Sequence, residues 1–201
     1  MKIKIVPIVF TLICLMTLGK VFAQDNPINI KSIKVSRVIP GEPENEMLKN
    51  GNFENCDSNW VVDQTNGAKG QIDCVKDGFD GYADLRIKVL NISDAPWRLQ
   101  IYQKGLRIEK RKSYIMTFWV KSDRIGDINV NCMQNHEPWD HSTQQKMPVS
   151  TEWKQLQFNF EGAWDDDNAR VTFTNLGTIP GQVYWIANCS LIPTTMVPTQ
   201  K

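Results

Sequence analysis

The sequence is poor in the residues from which most catalytic and metal centres are built. It has two histidines, His136 and His141, and no Cys-x-x-Cys pair. Zinc sites gather three or four converging ligands, and no third ligand stands at a suitable spacing from these two. Gly-x-Ser-x-Gly, His-Glu-x-x-His and a glycine-rich phosphate loop are all missing. A glycosidase needs two carboxylates facing one bond, roughly 5 to 10 Å apart. No β-type segment carries Asp or Glu at such a spacing, and Glu109 and Glu152 fall at turns. An excess of one charge is missing too, with 23 Lys and Arg against 22 Asp and Glu. A near-neutral chain has no electrostatic claim on nucleic acid or anionic lipid. Long helical periodicity and internal repeats are likewise absent.

The one long apolar run lies at the start. Lys2 and Lys4 precede an almost wholly apolar stretch from Ile5 to Leu18, and Val21-Phe22-Ala23 follows. The run is shorter than the about 20 residues a spanning helix needs. It reads as a secretory leader cut between Ala23 and Gln24. Losing Lys2, Lys4 and Lys20 changes the net formal charge from +1 to −2. The expectation is a secreted or periplasmic protein with no membrane span. Its size suits one domain. Residues 24–46, with Pro27, Pro40, Gly41 and Pro43, read as a spacer or an extra edge strand. Residues 193–201 read as a loose tail.

Export permits disulfides. Cys56, Cys74, Cys132 and Cys189 remain after the leader, and four cysteines allow three pairings. Asn66-Gly67 reads as the turn of a hairpin that brings Cys56 near Cys74, so that bridge is expected. Cys132 and Cys189 fall on core-facing positions, as buried thiols or as a second bridge.

What the chain does have is alternation. Tyr114, Met116, Phe118 and Val120 oppose Thr117, Trp119 and Lys121. Leu99 and Ile101 oppose Arg98, Gln100 and Tyr102. Leu156, Phe158 and Phe160 oppose Gln155 and Gln157, and Ile128, Val130 and Cys132 oppose Asn129 and Asn131. Period two marks antiparallel strands with one buried face. Many of them, separated by Gly, Asn and Asp turns, indicate an all-β sandwich of two antiparallel sheets. If these strands pair in one sheet, Arg98, Gln100, Tyr102, Trp119, Lys121, Asn129, Asn131, Gln155 and Gln157 share one outward surface. Amides and guanidinium groups suit sugar hydroxyls, and Tyr or Trp rings suit the apolar face of a pyranose. The segment from Met133 to Val149 reads as a loop rimming that surface, with Trp139 as a platform and Trp164 as another rim residue. Trp60, Trp153 and Trp185 read as structural.

Asn50-Gly51-Asn52-Phe53-Glu54, Trp97 to Gln103, Tyr114 to Lys121 and Thr151-Glu152-Trp153-Lys154 occur in this order. Together they resemble the carbohydrate-binding modules of families 4, 9 and 22. The resemblance spans Met47 to Ile192. It implies a jelly-roll fold, a polysaccharide or oligosaccharide ligand and a site along a sheet face, with Gln100 carried over first. Such modules often accompany glycoside hydrolases, so a hydrolase on another chain is an expected partner. They often hold a structural calcium, for which Glu54 is the matching ligand, although Ala187 stands where an Asp is usual. The resulting expectation is an exported, non-catalytic glycan binder. The alternatives are a small hydrolase or lyase using Glu137 or Asp140, and a structural or adhesion sandwich.

Overall fold

The computed structural model describes residues 45–194. The leader, residues 24–44 and the end of the tail lie outside the described residues. Ten strands run through the described part: β1 (Val61–Gln64), β2 (Lys69–Val75), β3 (Asp84–Asn91), β4 (Leu99–Ile108), β5 (Ser113–Ser122), β6 (Gly126–Gln134), β7 (His141–Val149), β8 (Lys154–Glu161), β9 (Asp166–Thr174) and β10 (Val183–Thr194). They pair antiparallel into two five-stranded sheets, a first of order β1-β4-β9-β6-β7 and a second of order β2-β3-β10-β5-β8. This is the sandwich that the alternation implies, with the jelly-roll fold that the resemblance implies.

The inward positions of both sheets form one core. Leu99, Ile101, Val130, Val171 and Phe173 of the first sheet face Leu85, Ile87, Met116, Phe118 and Ile186 of the second, all fully buried. Phe118 meets Phe173 edge-on across the sandwich at 4.9 Å, and Trp60 stacks on Phe173 at 6.0 Å. Each large side chain removed from water contributes about 1.5 to 3 kcal/mol.

The Asn-Gly-Asn-Phe segment anchors this core. Asn50 Nδ2 donates to the carbonyls of Cys56 and Ser58, both at 2.8 Å, and Asn50 Oδ1 accepts from Asn55 N. Phe53 is buried 5.4 Å from Trp60. Gly51 lies against β10, where Cys189 N donates to Gly51 O at 2.8 Å. Here β10 bulges between Ala187 and Ser190, with Asn188 at φ 48. The Glu46 carboxylate accepts from Leu48 N, Leu191 N and Ser190 Oγ, so ordered packing begins within the stretch read as a spacer.

Cys56 and Cys74 form a disulfide, with Cα atoms 5.3 Å apart. The expected hairpin does not underlie it. Asn66 and Gly67 do form the turn, with φ of 50 and 81, but β1 pairs with β4 and β2 pairs with β3. The bridge therefore ties the Asn50 loop to the edge strand of the second sheet. Closing a loop of this length contributes about 3 kcal/mol in the chain-entropy account. Cys132 and Cys189 are buried and free.

The segment from Met133 to Val149 is not one loop. Residues 135–140 turn, and His141–Val149 is an edge strand paired with β6. Its polar composition and Pro148 hid it. An edge strand needs few inward apolar residues and tolerates proline, and here Met147 and Val149 carry the buried face.

Candidate functional site

The outer face of the first sheet is built in three rows across its strands. The register places Tyr102, Thr172, Asn131 and Gln144 side by side in the middle row. On one side follow Gln100, Thr174, Asn129 and Lys146, and on the other Lys104, Arg170, Met133 and His141. At about 3.4 Å per residue, the four steps from Thr174 to Arg170 span about 14 Å. A groove of about 530 Å³ follows this face. Trp97, in the short 3-10 turn before β4, lines it together with Asn175, and so does Trp139, in the turn after β6. These tryptophan residues are 56% and 44% exposed, against 6% for Trp60 in the core.

The floor between the two indoles is polar and hidden. Asn131, Arg170, Thr172 and Thr174 are all at least nine-tenths buried. Asn129 Oδ1, Asn131 Oδ1, Arg170 Nε, Thr172 Oγ1 and Thr174 Oγ1 have no hydrogen-bond partner in the protein. Buried polar groups are ordinarily paired, because leaving one unpaired costs about 1 to 3 kcal/mol. Five such atoms on one sheet face are donors and acceptors that no protein group satisfies. Gln100 is held in place by donating from Nε2 to Asp63 Oδ2 at 2.9 Å.

Arg170 lies at the centre of the third row. Its guanidinium carbon is 4.4 Å from the Tyr102 ring centroid and 5.7 Å from that of Trp139. Nη2 reaches only the Met133 sulfur, at 3.3 Å. Trp139 adopts φ 64, in the left-handed region that a bulky residue rarely occupies. The turn is braced on both sides: Trp139 N donates to His136 O at 2.8 Å, Gln134 N to Asp140 O at 2.9 Å, and His136 Nε2 lies 3.0 Å from Asp166 Oδ2. Such strain at a brace-held loop is the pattern of a ligand clamp. The Glu137 carbonyl, then the Asp166 carboxylate, hold His136 above its ordinary value against desolvation. Desolvation, then the charge of Arg170, lowers His141. His141 therefore enters the groove as a neutral ring near pH 7.

The surface expected from alternation is split between two sheets. Gln100, Tyr102, Asn129, Asn131 and Trp139 come together on the first sheet, Tyr102 as the support beneath Arg170. Trp119, Lys121, Gln155 and Gln157 lie in β5 and β8, which belong to the second sheet. The chain crosses between sheets after β4, so outward positions on β4 and β5 face opposite sides of the molecule. Arg98 is engaged elsewhere, with Nε 3.1 Å from Asp94. Trp164 packs half-buried against the core. Arg170, Thr172, Thr174 and Trp97 were not among the expected site residues. Alternation in Ala169-Arg170-Val171-Thr172-Phe173-Thr174 marks the first three as outward.

On the second sheet, Trp119 stacks on Phe79 at 4.5 Å, and Lys121 Nζ lies 5.1 Å from the Trp153 ring and 4.9 Å from the Trp185 ring. Trp153 and Trp185 thus belong to this outer cluster and not to the core side. Beneath it, burial pushes the Asp84 carboxyl up to about 6, against the opposing charge of Lys121 and the Phe79 amide. The side chain is 2% exposed. A raised carboxyl favours folding below the unfolded value near 4, and this contribution is lost as pH rises through about 6. Asp84→Asn is therefore expected to be more stable than wild type at pH 8 by about 2 kcal/mol and close to it at pH 4. Urea melts at both values check this, and an equal offset at both would refute it.

The two positions expected to hold calcium offer one carboxylate between them. Glu54 is exposed, and Ala187 is buried and has no side-chain oxygen. Among the described residues no three His, Cys, Asp or Glu side chains converge. Calcium takes six to eight oxygen ligands.

The family model described as Carbohydrate binding domain (CBM 4/9) matches residues 45–176. No curated protein matches the chain significantly. Among solved structures, one titled "CBM4 structure and function" is 24% identical with a TM-score of 0.61, covering 73% of this chain and 99% of that one. The CBM22-1 xylan-binding domain from Paenibacillus barcinonensis Xyn10C is 9% identical with a TM-score of 0.51, covering 69% and 87%. The arabinose-bound MgGH51 α-L-arabinofuranosidase is 17% identical with a TM-score of 0.58, covering 76% of this chain but 27% of that enzyme. These likenesses concern the fold. The family match extends from the Asn50 anchor through the whole of β9, the strand that carries the groove floor, and the chain belongs to the carbohydrate binding domain family.

Proposed function

We propose that this chain binds a polysaccharide or oligosaccharide in the groove of the first sheet and does not cleave it. The observation that carries this reading is the row of buried, unpartnered polar atoms between two exposed indoles. Sugar hydroxyls donate and accept at once, so they can satisfy Asn and Thr oxygens and the Arg170 Nε alike. The apolar faces of a sugar ring stack on Trp97 and Trp139. Membership in a carbohydrate binding family supports the same conclusion. No Asp or Glu lines the groove, which favours capture over hydrolysis. Calcium is not part of the proposal. The protein would work outside the cytoplasm, alone or beside a glycoside hydrolase carried by another chain.

Affinity electrophoresis against soluble polysaccharides, with pull-downs on insoluble ones, tests this. Retention by at least one polysaccharide is expected, with no release of reducing ends. Failure to bind any member of a broad panel would sink the reading, and turnover would replace it with an enzyme.

A further inference from the structure

We infer that the ligand of this groove is an acidic glycan, whose uronate carboxylate pairs with Arg170. This inference rests on the glycan-binding reading above and names the class of sugar.

The argument begins with an unbalanced charge. An arginine is always ionised, and a buried charge is normally paired because removing it from water is costly. Arg170 is 7% exposed. None of the described ion pairs includes it. Its Nε is buried without a partner, and Nη2 meets a thioether. The π faces of Tyr102 and Trp139 offset part of the cost, but they add no counter-charge.

The surrounding acids are exposed or engaged elsewhere. Asp166 is taken by His136 at 3.0 Å, Asp127 by Lys146 at 2.8 Å, and Asp63 accepts from Gln100. Asp140 is exposed, next to His141. Lys104, beside Arg170 in the register, adds a second positive charge on the same row. None of these acids lines the groove; Arg170 and His141 are its only ionisable lining residues, and His141 is neutral near pH 7. A neutral sugar hydroxyl could satisfy Nε while leaving the charge unbalanced. A carboxylate does both, through the planar fork that guanidinium presents. Asn131 in the adjoining row, and Asn129 and Thr174 beyond it, line the same groove and are placed to read the hydroxyls of the same chain.

The test is calorimetric titration of the full exported chain with polygalacturonate, alginate and glucuronoxylan fragments. Each is set beside its own carboxyl-reduced counterpart and a neutral xylan and β-glucan. At least one acidic glycan should bind about ten- to a hundredfold more tightly than its reduced form, the range of a charge-assisted hydrogen bond. That preference should weaken on raising salt from roughly 50 to roughly 500 mM. Arg170→Gln should abolish the preference, while Arg170→Lys, which keeps the charge without the fork, should retain part of it. Melting curves of both variants separate lost folding from lost recognition, and the wild-type comparison stands even if both unfold. Equal binding of acidic and reduced glycans, or a preference that survives in a folded Arg170→Gln protein, overturns the inference and leaves the glycan-binding reading intact. Binding to none of the probes overturns both.

Discussion

Gly51→Ala is expected to destabilise the fold by about 3 kcal/mol or more. A Cβ at this position would collide with the carbonyl oxygen of Cys189. That oxygen belongs to a buried strand backbone, so it cannot swing aside as a side-chain tip could. The Asn50 loop would have to lift off β10, disturbing the Cys189 to Gly51 hydrogen bond and the seat of Phe53 against Trp60. The control is Gly67→Ala. Gly67 has φ +81 and open space around it, so alanine there costs only the left-handed backbone term of about 1 to 2 kcal/mol. Denaturation midpoints of the two variants separate the effects. A Gly51→Ala protein as stable as the Gly67→Ala protein would show that the loop is not an anchor.

Loss of both groove indoles is the largest expected effect on binding. Trp97→Ala and Trp139→Ala should each weaken glycan binding by about 1 to 3 kcal/mol, as for a well-packed aromatic contact. The two flank opposite ends of the floor, and separated sites with no shared partner add, so the double variant should lose most detectable affinity. Both rings are substantially exposed, which keeps the cost in stability small. Trp119→Ala should behave oppositely, leaving affinity unchanged while lowering stability, because its ring is stacked on Phe79 on the other sheet. Titration with the best polysaccharide and melting curves on the same samples decide this. Affinity lost in Trp119→Ala and kept in the double variant would move the site to the second sheet.

The alternation of Tyr114 to Lys121 and of Leu99 to Tyr102 reports which side of a strand is apolar, and there the sequence was a good guide. It does not report which strand lies next door. Four residues separate β4 from β5, a length that suits a hairpin, yet the chain passes to the other sheet. Trp119 and Tyr102 therefore read as neighbours although they point to opposite sides. Arg170, Thr172 and Thr174 were legible as outward. Their place at the centre of the groove depends on β9 pairing between β4 and β6, a long-range choice that no local pattern encodes. Trp97 shared that fate, because its exposure follows from the turn that precedes β4.

The free cysteines carry a chemical consequence. Thiol–disulfide exchange proceeds through the thiolate. Burial pushes both Cys132 and Cys189 well above the ordinary thiol range, and both side chains are sealed in the core. In the folded molecule neither can attack the Cys56–Cys74 bond. Among the described residues the cross-link is thus isolated from the other thiols, and exchange with either of them requires the core to open first.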